Sequence, residues 1–103
     1  MPTFVTEVQE ARAHQVVVTT DTLSVDLTDG RTIAVPLAWY PRLVHGTPAE
    51  RSHWRLLGQG EGIQWPALDE DISVMNLLAG KASGESQRSF QQWLKDRTTP
   101  RQD

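Results

Sequence analysis

Leu23, Val25 and Leu27 alternate with Ser24, Asp26 and Thr28, then Asp29-Gly30 intervenes, then Ile33 and Val35 alternate with Thr32 and Ala34. A period of two gives each run one apolar face, and Asp-Gly between two such runs is the strongest short-range hairpin signal. The pattern predicts an antiparallel hairpin closed by a type I′ turn, with positive φ at both Asp29 and Gly30. Upstream, Gln15-Val-Val-Val-Thr-Thr20 is β-branched and runs into the Thr20-Asp21-Thr22 turn, so it adds a third strand and makes a three-stranded meander. A chain of 103 residues built on such a meander has room for one core, and size scaling buries roughly 65% of its unfolded surface. We therefore expect a single domain over residues 1–103.

Helical signals follow the meander. Pro36 ends the third strand and Pro41 prevents a long helix through Leu37-Ala-Trp-Tyr40, which leaves a short helical turn or loop rich in apolar side chains: Trp39, Tyr40, Leu43 and Val44. In Thr47-Pro-Ala-Glu50, Thr47 can cap the N3 amide, Pro48 suits N1 and Glu50 can reach back to the cap, so a short helix is predicted from about Pro48 to Trp54. Arg55-Leu-Leu57 and Gly62-Ile-Gln-Trp65 read as two strands of a second short hairpin across Gly58-Gln-Gly-Glu-Gly62. That glycine spacing is neither a P-loop nor a dinucleotide fingerprint, so a plain turn is expected there.

Asp69-Glu-Asp71 then precedes a short core-facing helix carrying Val74, Leu77 and Leu78 and ended by Gly80, with the acids placed before the helix N-terminus, where its dipole favours them. After Ser83-Gly-Glu-Ser86, the residues Phe90, Trp93, Leu94 and Arg97 fall on one stripe of an amphipathic helix of about a dozen residues. Arg88, Gln91, Gln92 and Lys95 face away from it. A helix of that length is marginal alone, so its apolar face must dock on its own chain or on a partner. The fold class expected is α+β: a small antiparallel sheet, a three-stranded meander plus a second short hairpin, packed with short helices and a C-terminal amphipathic helix.

Composition narrows the function classes. Ten Lys and Arg against thirteen Asp and Glu give a net charge of −3, unlike the clustered positive surface of a non-specific nucleic-acid binder. Zero cysteines exclude disulfides, thiolate metal sites and cysteine nucleophiles, and suit a reducing cytoplasm. No apolar run approaches a membrane span, and the start, Met1-Pro-Thr-Phe-Val-Thr-Glu7, lacks the basic-then-apolar order of a signal peptide, so a cytoplasmic location is expected. Charge is uneven along the chain: residues 61–80 hold four acids and no base, while 81–103 hold five bases and three acids.

No reactive constellation emerges. His14, His45 and His53 stand in no metal-ligand or hydrolase spacing. No serine sits in a Gly-x-Ser-x-Gly elbow. Asp69, Asp71 and Ser73 alternate like the first oxygens of a calcium loop, but Val74 stands where the bend needs Gly and Gly80 where the closing Glu belongs. No catalytic residue, metal site or cofactor is expected, and the chain is not read as an enzyme; a general base at His45 or His53 with Glu50 is the weakest alternative. Four tryptophans in so short a chain instead supply aromatic payload for a core or for interface anchors. The candidate partner-binding residues are Trp39, Tyr40, Arg42, Trp65, Asp69, Glu70, Asp71, Phe90 and Trp93.

The ordered series Leu27-Thr-Asp-Gly-Arg31, Val35-Pro-Leu-Ala-Trp-Tyr-Pro-Arg-Leu43, Thr47-Pro-Ala-Glu-Arg51, Gly60-Glu-Gly-Ile-Gln-Trp-Pro66 and Leu68-Asp-Glu-Asp-Ile-Ser73 resembles the bacterial domain of unknown function 2442 family over about residues 15–80. The tail from Ser83 to Leu94 resembles the extension of one branch, a helical segment of about 83–97. The resemblance implies a small α+β domain with no assigned activity or catalytic residues. Some members carry a C-terminal helix-turn-helix, and their genes resemble those beside another small unknown family, numbered 4160, in a toxin–antitoxin-like arrangement. The single helix after Leu78 departs from the fused form, so nucleic acid is not expected as a target of this chain by itself. Two functions remain as expectations. The first is a non-enzymatic interaction module, antitoxin-like, for a small basic protein partner, with homo-oligomers open. The second is a DNA-associated regulator acting as a dimer, its Arg88, Lys95, Arg97 and Arg101 touching phosphates.

Overall fold

The computed structural model describes residues 11–98. Strands β1 (Ala13–Val18), β2 (Thr22–Leu27) and β3 (Thr32–Pro36) form an antiparallel meander in the order β1-β2-β3. Leu23 lies opposite Val35 and Val25 opposite Ile33, which puts the alternating apolar set of β2 on one face, where Leu23, Val25 and Leu27 are buried. The turn differs from the type I′ expected. Among the described residues only Asp69 combines a side chain with positive φ, so Asp29 stays in the ordinary region and Gly30 alone turns left-handed, at φ 96°. Gly30 N donates to Leu27 O and Leu27 N to Arg31 O, the pattern of a three-residue loop with a glycine bulge. Arg31 stabilises that conformation from outside: its backbone N and its Nε both donate to the Asp29 carboxylate, at 3.0 and 2.8 Å.

β1 carries a bulge at His14, between the pairs Ala13–Leu27 and Gln15–Asp26. The extra residue resets the alternation, so Ala13 and Val16, three apart, both face the core.

After a 3₁₀ turn over Leu37–Trp39, α1 (Pro41–Val44) and α2 (Pro48–Ser52) follow. α2 has the reciprocal cap its sequence signalled: Thr47 Oγ1 accepts from Glu50 N at 3.1 Å, and Thr47 N donates to Glu50 Oε1 at 2.9 Å. β4 (Arg55–Leu57) and β5 (Gly62–Trp65) make the second hairpin.

That hairpin gains a third strand. A 3₁₀ turn over Pro66–Leu68 and a left-handed Asp69 (φ 52°) reverse the chain, and β6 (Glu70–Ser73) pairs antiparallel with β5. Of the three acids expected before a helix, Asp69 makes the reversal and Glu70 and Asp71 lie on the strand, whose alternation buries Ile72 and leaves Asp71 exposed. α3 is accordingly short, Val74–Leu78, capped by Ser73 Oγ and closed by Gly80 at φ 73° with Lys81 N donating to Asn76 O. Val74 and Leu77 face inward, whereas Leu78, predicted to be in the core, is 41% exposed.

The two sheets share one core, with Leu23, Val25, Leu43, Ile63, Trp65 and Leu68 at its centre. They meet where Ala13 N donates to Gly60 O at 2.8 Å. A Cβ on Gly60 would stand 2.5 Å from the Ala13 carbonyl oxygen, so this approach, at φ 101°, requires glycine. Last comes α4 (Gln87–Thr98), started by Ser86, whose Oγ accepts from Ser89 N. It folds back on its own chain, the first of the two dockings its stripe allowed.

Candidate interaction surface

Arg42 on α1 organises the surface. Pro41 and Arg42 open a one-turn helix whose Leu43 is wholly buried, which anchors the backbone and sends the Arg42 side chain toward the loop before α4. Its Nε donates to both oxygens of Glu85 at 2.9 and 3.0 Å, Nη2 also pairs with Glu85, and Nη1 donates to the Asp69 carbonyl at 2.9 Å. Ser89 Oγ donates to Glu85 at 2.8 Å. The carbonyl that Arg42 holds belongs to the left-handed residue, so one guanidinium ties α1 to both the β5–β6 reversal and the α4 approach.

A polar cleft of about 380 Å³ opens here, lined by Arg42, Asp69, Glu70, Ser83, Glu85 and Ser89. Beside it a smaller pocket of about 110 Å³ includes Tyr40, Glu70, Asp71, Asn76 and Lys81 in its lining. The carboxylates differ in character. Glu85 is held below the usual glutamate range, chiefly by its hydrogen bonds with Arg42. Glu70 is pushed up to about 7: burial dominates, Arg42 opposes it, and the charges of Glu85, Asp71 and Asp69 reinforce it. Burial, with Glu70 second, also raises the Tyr40 hydroxyl, which donates to Lys81 O at 3.2 Å.

Next to the cleft, the rings of α4 form a stack. The His45 and Phe90 rings lie 5.2 Å apart and those of Phe90 and Trp93 5.8 Å, while the guanidinium carbons of Arg42 and Arg97 sit 5.1 and 4.8 Å from the Trp93 ring. Arg97 also pairs with Glu50 at 2.9 Å, and that contact, first among several, holds Glu50 below its usual range.

The structure therefore gathers Arg42, Asp69, Glu70, Phe90 and Trp93, with Asp71 on the adjoining pocket; half-buried Trp39 joins through its carbonyl, which accepts from Ser83 N. Two expected surface residues need correction. Trp65 has no exposure and donates its Nε1–H to Arg51 O at 3.0 Å, and Tyr40 is 3% exposed. Both are core residues, because Trp65 at the end of β5 and Tyr40 just before α1 belong to the buried cluster. Sequence reasoning passed over Glu85, the residue that holds Arg42, and Glu50 with Arg97. Ser83-Gly-Glu-Ser86 was legible as a helix start, but not as the donor of a counter-ion forty-three positions from Arg42.

The chemical alternatives find little assembly. Among the described residues no group of three His, Asp or Glu is placed to hold a metal ion. Glu50 is committed to the α2 cap and Arg97, and His45 to Phe90. Of the cations considered for phosphate contact, Arg97 is engaged with Glu50 and Trp93, and Arg101 lies outside the described residues. No described helix is long and apolar enough to cross a membrane. A separate apolar cavity of about 380 Å³, unanticipated from sequence, lies beside Val74, Met75 and Leu78 of α3, with Ala11, Glu61 and Ser73.

The family described as protein of unknown function (DUF2442) matches residues 13–83. A crystal structure of a protein of unknown function from Rhodospirillum rubrum is similar at 30% identity and TM-score 0.64, over 75% of this chain and 95% of that one. A solution structure of an uncharacterised protein from Chromobacterium violaceum shares the fold at 18% identity and TM-score 0.61, over 84% of this chain and 76% of that one. No curated protein matches the chain.

Proposed function

The chain belongs to the family of unknown function DUF2442, and from the surface its fold builds we propose a non-enzymatic protein-interaction module, antitoxin-like, that acts in the cytoplasm on a small basic protein. The observation that carries this reading is the imbalance around Arg42. The carboxylates of Asp69, Glu70 and Glu85 line a cleft with one guanidinium, and Asp71 lies on the pocket alongside. Arg42 is paired with Glu85 and, at 3.4 Å, with Asp69, so the open rim sets Asp69 and Asp71 against Lys81 and keeps a small negative excess. Asp69 keeps 89% of its side chain exposed, although its Oδ2 lies 3.4 Å from Arg42 Nη1. Such a field steers a cationic partner and raises the association rate more than the affinity. Half-buried Trp39 beside it supplies an aromatic anchor of the kind on which binding energy concentrates.

Affinity capture of the tagged full chain at native expression, followed by mass spectrometry, tests the proposal. A basic protein should co-elute, and Asp69→Lys with Asp71→Lys should slow its association and flatten the salt dependence. A chain that elutes alone, or a partner indifferent to both charge reversals, would sink the reading.

A further inference from the structure

α4, like α2 and β4, contributes no residue to the fully buried core; its apolar members Phe90, Trp93 and Leu94 are only half-buried, and Trp93 packs against the outside of that core. Among the contacts that hold it are rings and ion pairs on α1, α2 and the turn between them: Arg42 with Glu85 and Trp93, His45 with Phe90, Glu50 with Arg97. The segment before it, residues 79–86, is largely exposed, and Gly84 has open space around it. The family match ends at residue 83, before α4 begins, and three quarters of this chain accounts for 95% of the Rhodospirillum rubrum protein.

We infer that the α1–α2 face beneath α4 is a recognition surface for an amphipathic helix of the protein partner, and that α4 is its built-in, displaceable competitor. The inference deepens the interaction reading and rests on it. The chemistry of the incoming helix follows from what is already seated there. It carries a carboxylate at its start for Arg42, two aromatic rings one turn apart for His45 and Arg42, and a cation one further turn on for Glu50. This is helix-in-groove recognition with charges that fix the direction of the helix. No α4 residue is among the fully buried ones, and local opening of an element so placed does not require global unfolding.

The probe is a labelled peptide of residues 84–97, followed by fluorescence anisotropy against the full chain and its Trp93→Ala variant, with hydrogen exchange on the unmodified protein. Amides of 90–97 should exchange at least tenfold faster than those of Leu23 and Val25. The peptide should bind Trp93→Ala at least tenfold more tightly than the unmodified chain, where α4 competes, and adding Arg42→Gln should abolish that gain. Exchange of α4 at the rate of β2 would overturn the inference even if Trp93→Ala failed to fold, and so would equal binding to both proteins. A captured partner that the peptide does not compete away would refute this surface while leaving the interaction reading intact. Peptide competition with nothing captured from cells supports the surface and sinks that reading.

Discussion

Glu70 destabilises the fold it belongs to, and replacing it by glutamine isolates the effect. Its carboxyl is raised from the ordinary 4.5 to about 7, with burial the main cause and the attraction of Arg42 insufficient to offset it. Between those two values the folded chain binds a proton that the unfolded chain has released, so the stability contribution of Glu70 falls as pH rises from about 4.5 to 7 and stays low above that. Two and a half units at about 1.4 kcal/mol each set an upper bound of roughly 3.4 kcal/mol. Glu70 keeps partial contact with water, and screening halves this to about 1.5–2 kcal/mol. Glu70→Gln, nearly isosteric and uncharged, should therefore be more stable than the parent by about that amount at pH 8, with a thermal midpoint higher by about 6–10 °C. At pH 4 the two proteins should unfold alike, because Glu70 is then protonated in the folded state and largely so in the unfolded one. Urea unfolding followed by tryptophan fluorescence at both pH values measures the difference. No gain at pH 8, or a gain of equal size at pH 4, would refute the argument that a desolvated charge is responsible.

Three further perturbations probe other joints. Gly60→Ala brings a Cβ to 2.5 Å from the Ala13 carbonyl at a φ of 101°, and should cost about 2 kcal/mol or more in chemical denaturation. Arg42→Gln strands Glu85, whose side chain is 11% exposed, and should cost about 3 kcal/mol at pH 7. Because Arg42 depresses the Glu85 pKa, that contribution is present above about 4.5 and fades as pH falls through the lowered value, so the variant and parent should converge in acid melts. Thr47→Ala removes the hydroxyl that accepts from Glu50 N and should lose about 1 kcal/mol by thermal denaturation, with the loss confined to α2 in hydrogen exchange.

What the sequence made legible was local. The β2–β3 alternation, the Thr47–Glu50 cap and the α4 stripe each express their signal within one element, and each stands in the structure as expected. What escaped was decided by distant partners. Glu70–Ser73 became a strand because β5 was there to pair with it, and the reversal that brought it back depends on a left-handed Asp69 whose carbonyl is held by Arg42. The turn at Asp29-Gly30 was placed correctly but mistyped, since Arg31 and the Asp29 carboxylate favour one positive φ instead of two. Of the candidate surface, the acids and Arg42 were recognisable as charges, yet their convergence on Glu85 joins residues forty-three positions apart. Trp65 and Tyr40 illustrate the converse: an aromatic side chain has the same identity in a core and at an interface, and only the facing sheet distinguishes them.

Among the described residues four strands lie at the margins of the two sheets, and unpaired backbone at a sheet edge is a template for unwanted stacking between molecules. β4 is only three residues long and carries Arg55, β3 ends in Pro36, and β6 bears two acids. β1 has the His14 bulge at one end, but its Val16–Val18 half holds no charge or proline and leaves Val17 50% exposed. Among the described edges that half-strand is the least guarded against such pairing, so Val17→Lys should lengthen the lag before light scattering rises in the concentrated or warmed protein, and an unchanged lag would refute its part in aggregation.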